Sequence, residues 1–136
     1  MHHKRNTLLS LCLFMVGGLA YTAVELMWRR RTHPSMFVVG GLCFHIIGRI
    51  HTDFQRRPLL WRCGLCSLAI TAVELVSGCI LNRWLKLGVW DYSKRRGNLW
   101  GQVCLTYSFL WMLLSIPAAV LYHGCRRILS RLLRCR

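Results

Sequence analysis

Two glutamates stand where a carboxylate is costly. Glu25 interrupts an apolar run from Thr7 to Trp28, and Glu74 interrupts another from Leu59 to Leu81. On insertion scales a charged residue at the centre of a spanning helix costs about 2.5–3.5 kcal/mol. An acid kept at such a position therefore answers a cation or hydrogen-bond donor, or binds a proton, a cation or a polar ligand head. At a helical rise of 1.5 Å per residue, Glu74 lies about 10 Å and Glu25 about 5 Å inside the end of its run. Neither is at the midplane.

Each acid has a polar row on its own helical face. Gly18, Thr22, Glu25 and Arg29 follow i, i+4, i+7, i+11, and Ser67, Thr71, Glu74 and Gly78 do the same, continued by Asn82. Small and hydroxylated residues let helices approach and offer hydrogen bonds to a carboxyl. With a fourth helix placed from Leu99, Gln102 and Thr106 project from one side toward the depth of Glu74. The expected ligand- or ion-binding set is Glu25, Glu74, Asn82, Gln102 and Thr106. A loop bearing Arg83, Trp90, Asp91 and Tyr92 would cover it. Asp91 is the single acid among Arg83, Lys86, Lys94, Arg95 and Arg96, and is expected to pair with Arg83 or to cap the turn before the fourth helix.

Other reactive residue types suggest less. Cys12, Cys43, Cys79 and Cys104 fall within apolar runs, where a thiol packs as a small hydrophobe. Cys63 and Cys66 form a lone CxxC with no second ligand pair at zinc spacing. His45 and His123 have no sequence neighbour that completes a site, and are read as packed or interfacial. No catalytic residue, metal site or cofactor is assigned.

The elements that must position these residues follow from composition. The 136 residues carry 19 Lys+Arg against 4 Asp+Glu, net +15, with 54% hydrophobic residues and a mean hydropathy of +0.37. That hydropathy argues against a disordered or soluble basic chain, and the cations gather beside apolar runs rather than in a nucleic-acid readout motif. Four segments emerge: 7–28, the shorter 35–50, 59–81 and 99–122. The first is long enough to remain as a span rather than a cleaved signal peptide.

An internal match argues that the short segment also crosses. Leu19-Ala20-Tyr21-Thr22-Ala23-Val24-Glu25-Leu26 recurs 49 residues later as Leu68-Ala69-Ile70-Thr71-Ala72-Val73-Glu74-Leu75, with one difference. Gly40-Gly41-Leu42-Cys43 resembles Gly101-Gln102-Val103-Cys104, 61 residues on. The expectation is an all-α, polytopic membrane four-helix bundle, a single domain over 1–136 made of two parallel helical-hairpin repeats (about 7–50 and 59–122). Glu25 and Glu74 would then face each other near the pseudo-twofold axis. Residues 123–136 form a basic tail in which Cys125, Ile128, Leu129, Leu132 and Leu133 oppose Arg126, Arg127, Arg131 and Arg134. This reads as a short amphipathic helix on anionic lipid, or as a stop-transfer charge cluster. Lys4, Arg5, Arg49, Arg56, Arg57, Arg62 and five tail arginines outnumber the eight cations of the other loops, which places both termini on the cytoplasmic side of a cell membrane.

Residues 74–111 carry a more specific pattern: Glu74-Leu75-x-x-Gly78-x-x-Leu81-Asn82, Trp90-Asp91-Tyr92-Ser93, Asn98-x-x-Gly101-Gln102 and Trp111. It resembles the putative ABC-transporter type IV permease family of small multi-pass membrane proteins. The resemblance weakens over 19–50, and Val73 and Val24 stand where that family often has an aromatic residue before its glutamate. It implies a polytopic α-helical protein with Glu74, Asn82, Trp90, Asp91 and Tyr92 in the family motif. No GxxxxGK[ST] occurs, so an ATPase would be a separate chain.

The leading expectation is a permease-like or ligand-binding membrane component. One alternative is a structural or regulatory membrane subunit whose glutamates only join helices. The other is a membrane enzyme acting on lipid head groups, with Glu74 or Asp91 as general base. Expected partners are the bilayer, anionic lipid at the tail, and a second copy or a separate subunit. Nucleic acid is not among them.

Overall fold

The computed structural model describes residues 2–134; Met1, Cys135 and the tail residue Arg136 lie outside them. Among the described residues the apolar runs form α1 (His2–Arg29), α2 (Pro34–Asp53), α3 (Leu59–Gly78) and α4 (Leu105–Leu132). A π-helical segment, Cys79–Trp84, extends α3, and Asn98–Leu99 (β1) pairs antiparallel with Val103–Cys104 (β2). All four helices are long and apolar enough to cross a membrane, the short second one included at 20 residues. The punctuation is chemical. Pro34 opens α2, where its missing N–H costs nothing, and Pro58 precedes α3. Arg30 closes α1 in the left-handed region, with φ 57, and its N–H returns to the Leu26 carbonyl at 2.9 Å.

Two boundaries depart from expectation. The fourth helix starts at Leu105 rather than Leu99. Gly97, Trp100 and Gly101 have φ of 66, 53 and 71, values that no right-handed helix contains, so residues 98–104 turn as a hairpin. At the other end, α4 runs without interruption through Leu132. The described tail to that point is therefore a continuation of α4, not a separate helix.

The chain divides into two compact units, Met1–Arg49 with Pro117–Arg136, and Ile50–Ile116. In the first, α1 and α2 pack through a reciprocal exchange of glycine and aromatic residues. Gly17 and Gly18 face Phe44 and Phe37, while Gly40 and Gly41 face Tyr21 and Phe14. Each helix presents aromatic, glycine, glycine, aromatic at i, i+3, i+4, i+7, so one backbone's bare surface receives the other's rings. A Cβ on Gly18 would meet the Phe37 carbonyl oxygen at 2.7 Å. Leu13, Phe44 and Tyr122 form the buried cluster of this unit, with the Phe44 and Tyr122 rings edge-on at 5.4 Å. His45 stands edge-on to Tyr122 as well, at 5.8 Å.

The second unit is organised along one stripe of α3. Cys63, Cys66, Ile70, Glu74 and Gly78 are its buried residues, spaced by three and then four, as a single helix face requires. Hydroxyls replace glycines here. Ser67 Oγ donates to the Ser108 carbonyl, and the Thr71 and Ser108 hydroxyls meet at 2.8 Å. These bonds hold α3 to the first turns of α4, the geometry in which Glu74 is enclosed.

Candidate functional site

Glu25 is 5% exposed and answered within its own unit. Arg29, one turn on, places Nη1 3.3 Å from Oε1, an ion pair rather than an aligned hydrogen bond. Thr32 Oγ1 donates to Oε2 at 2.7 Å. The reversal at Arg30 makes the second contact possible, since Thr32 would otherwise lie two turns along the helix. Thr22, expected to bond this carboxyl, does not: its hydroxyl has no hydrogen-bond partner among the described residues.

Glu74 is equally buried, at 4% exposed, and answered differently. Among the described residues no Lys or Arg pairs with it, and Oε2 has no hydrogen-bond partner. The neighbouring donor directed at its carboxyl is the Trp111 indole N–H. Thr71, the expected partner one turn away, is bonded to Ser108 instead. A buried polar atom left without a partner costs about 1–3 kcal/mol, more for a charged group. Burial without a cation distinguishes Glu74 from Glu25.

One turn beyond Glu74 the loop folds back on α3. A Cβ on Gly78 would stand 2.5 Å from Gln102 Oε1 and 3.0 Å from Trp90 Cζ2, so glycine permits both side chains to reach the helix. The π-helical widening carries Asn82, whose Nδ2 donates to Gln102 Oε1 at 2.8 Å. Its Oδ1 accepts from Val89 N at 2.7 Å. Trp90 Nε1 donates to the Gln102 carbonyl at 2.9 Å, and Gln102 Nε2 donates to Trp100 O at 3.0 Å. Every polar group of the two amides is thereby engaged at least once. Asn82, Trp90 and Gln102 form a clasp.

A hairpin supports the clasp. Gln102 N donates to Leu99 O at 3.0 Å across Trp100 and Gly101, whose positive φ values have the sign pattern of a type I′ turn. Tyr92 N donates to Gly101 O at 2.8 Å. Asp91 accepts from the Ser93 N–H at 2.9 Å and the Ser93 hydroxyl at 3.0 Å. Those two bonds, the backbone one first, hold this exposed carboxyl below the ordinary carboxylate range. Tyr92 stacks on Tyr107 with centroids 4.8 Å apart, and the Arg95 guanidinium lies over Tyr107.

A family model described as Putative ABC-transporter type IV matches residues 3–134. The chain belongs to that family. No curated protein and no solved structure matches it. Family and fold together describe a multi-pass membrane protein with four apolar helices. The type IV motif quoted from residues 74–111 converges on one unit, where Gly78, Asn82, Trp90, Gly101 and Gln102 interlock and Trp111 stands beside Glu74.

Several expected roles change. Gln102 is in a turn, not on α4, because the helix begins three residues later. Thr106 consequently shares no helix face with Gln102 and is exposed on the first turn of α4. Asp91 neither pairs with Arg83 nor caps α4; it holds Ser93, while Arg83 lies over the Trp100 ring at 5.6 Å. Ser108 and Trp111 were not among the expected site residues. Trp111 stands in the quoted motif, and Ser108, Trp111 and Ser115 fall at i, i+3, i+7 within the expected 99–122 segment, a one-face signal that marks them. Thr32 had no such signal, since only the turn after α1 returns it to Glu25.

Proposed function

We propose that this chain is a permease-like, ligand-binding component of a membrane transport system, with Glu74 as its working polar group. The observation that supports this reading is the Glu74 carboxyl, 4% exposed, with Oε2 lacking a hydrogen-bond partner among the described residues, in a helix apolar enough to span. Intramembrane acids of this kind commonly mark ion or substrate paths. A proton, a cation or a cationic ligand head would complete its coordination. Asn82, Gln102 and Trp90 position the covering loop rather than touch the ligand, and Asp91 and Tyr92 keep that loop folded. Energy coupling would come from a separate nucleotide-hydrolysing subunit, or the chain would work as an oligomer.

The test is proton or monovalent-cation flux into proteoliposomes under an imposed membrane potential, with a pH dye and a cation dye in the lumen. Glu74→Gln is expected to abolish the wild-type flux, and Glu25→Gln to retain most of it. Flux and pH dependence unchanged in Glu74→Gln would remove the role.

A second reading, a structural membrane subunit, draws on Glu25. Its Arg29 and Thr32 contacts are how a buried acid serves packing alone. Under that reading Glu74→Gln alters stability in detergent and leaves every assembled activity intact.

A further inference from the structure

The loop between the π-helical segment and α4 is well folded and yet turns large apolar side chains outward. Trp84 is 77% exposed, Trp100 61% and Leu105 72%, with Leu85, Leu87 and Leu99 each about half exposed. This display is not a product of looseness. Val89 and Trp90 are buried beneath it, and the bonds from Asn82 to Val89 N, from Trp90 to Gln102 and from Tyr92 N to Gly101 fix the backbone. Among these apolar groups are five cations, Arg83, Lys86, Lys94, Arg95 and Arg96, all exposed. The one acid, Asp91, is occupied by Ser93.

Both ends of this segment join helices long and apolar enough to span, so its backbone starts and finishes at a membrane edge. Tryptophan is favoured at that depth because its ring is apolar and its N–H polar. Arg83 over Trp100 joins a cation to such a ring, as an amphipathic surface at the head-group level would.

We propose that this loop is a lipid-binding platform that lies in the interfacial layer, Trp84 and Trp100 inserted beside the acyl chains and Arg83, Lys86 and Arg96 on the phosphates of anionic phospholipids. The inference does not depend on Glu74 or on transport. Charge complementarity selects the occupant. A neutral protein surface would satisfy the apolar groups but leave the cations unanswered, whereas an anionic bilayer answers both. Each interfacial cation contributes roughly a fivefold preference for an anionic surface, and the preference weakens with salt because the contacts are exposed.

The experiment uses the full chain, in a Trp28→Phe/Trp61→Phe background that removes the other exposed tryptophans near helix ends, reconstituted in vesicles of phosphatidylcholine with or without phosphatidylglycerol. Lipid brominated near the head group should quench tryptophan emission, and Trp84→Phe with Trp100→Phe should remove most of that quenching. Lipid selectivity, read by spin-labelled phosphatidylglycerol against spin-labelled phosphatidylcholine, should fall about tenfold or more in Arg83→Gln/Lys86→Gln/Arg96→Gln. In the wild type it should also fall on raising salt, a reading that needs no variant. Quenching unaffected by the tryptophan replacements, quenching by aqueous acrylamide alone, or shielding from both agents as at a protein interface would each overturn the proposal. So would anionic-lipid selectivity unchanged by both salt and the triple substitution.

Discussion

Leu19–Leu26 and Leu68–Leu75 differ at one position, yet the units containing them treat the shared glutamate in opposite ways. Four residues after Glu25 stands Arg29, which pairs with it; four residues after Glu74 stands Gly78, which admits Gln102 and Trp90. Seven residues after Glu25 comes Thr32, a hydroxyl donor, where the second stretch has Leu81. The packing devices differ as well. Gly17 and Gly18 seat aromatic rings, whereas Cys66 and Ser67 occupy the matching places, the first buried and the second bonded to Ser108. Nearly identical octapeptides thus became an acid paired with Arg29 in one unit and, among the described residues, an acid with no cation beside it in the other. The residues just beyond the match decided which.

The largest effect is expected where the first unit's glycine exchange is blocked. Gly41→Leu would drive a side chain into the Phe14 carbonyl and ring, and overpacking of this kind costs about 1–3 kcal/mol, occasionally more. The contrasting substitution is Gly64→Ala in the second unit, where a Cβ meets nothing within 4 Å. It should be neutral or stabilise by up to about 1 kcal/mol through helix propensity. Unfolding in detergent, with both variants side by side, measures the difference. Equal destabilisation would mean that the two units do not differ in packing as described.

A smaller loss is expected from Asn82→Ala, at about 1 kcal/mol, because Gln102 Oε1 and Val89 N each lose a hydrogen-bond partner. Amide exchange at Val89 should accelerate while that of the α1–α2 core, around Phe44, stays at wild-type protection. Acceleration in both places would show that the clasp supports the first unit too.

The smallest effect concerns Asp91. Its folded carboxyl titrates below the ordinary range, so the contribution of the Ser93 turn is complete above that range and is lost as pH falls through the lower folded value. The Ser93 amide resonance should report this titration on acidification, and Asp91→Asn should flatten it. A Ser93 amide insensitive to pH in the wild type would contradict the turn.

Much of the architecture was legible because hydropathy is additive along a helix. Twenty apolar residues read as a potential span wherever they occur, and Glu25 and Glu74 were conspicuous for the same reason. The clasp was only half legible. Asn82, Trp90 and Gln102 stand out in the sequence, but a fourth helix placed from Leu99, six residues before its true start, sets Gln102 beside Thr106 rather than against Asn82. Apolar residues at 99–104 suit a helix by composition. Gly97 and Gly101 were visible as breakers, yet the positive φ of Trp100 had no sequence signal, since a bulky residue rarely adopts it. The glycine exchange was the converse case. Phe14, Gly17, Gly18, Tyr21 and their counterparts Phe37, Gly40, Gly41, Phe44 share a pattern plain in the sequence, but only their contact in space makes it an exchange.

By itself the sequence determined that this chain has four apolar helices and which two acids lie within them. Local composition and spacing suffice for that, because helix formation and hydropathy depend on near neighbours. The tertiary structure decided that Glu25 is paired with Arg29 while, among the described residues, no cation answers Glu74, and that Asn82 and Gln102 hold each other. Those outcomes rest on contacts between residues brought together by turns, and a hydrogen bond depends on where its partner arrives in space rather than on how far away it lies along the chain.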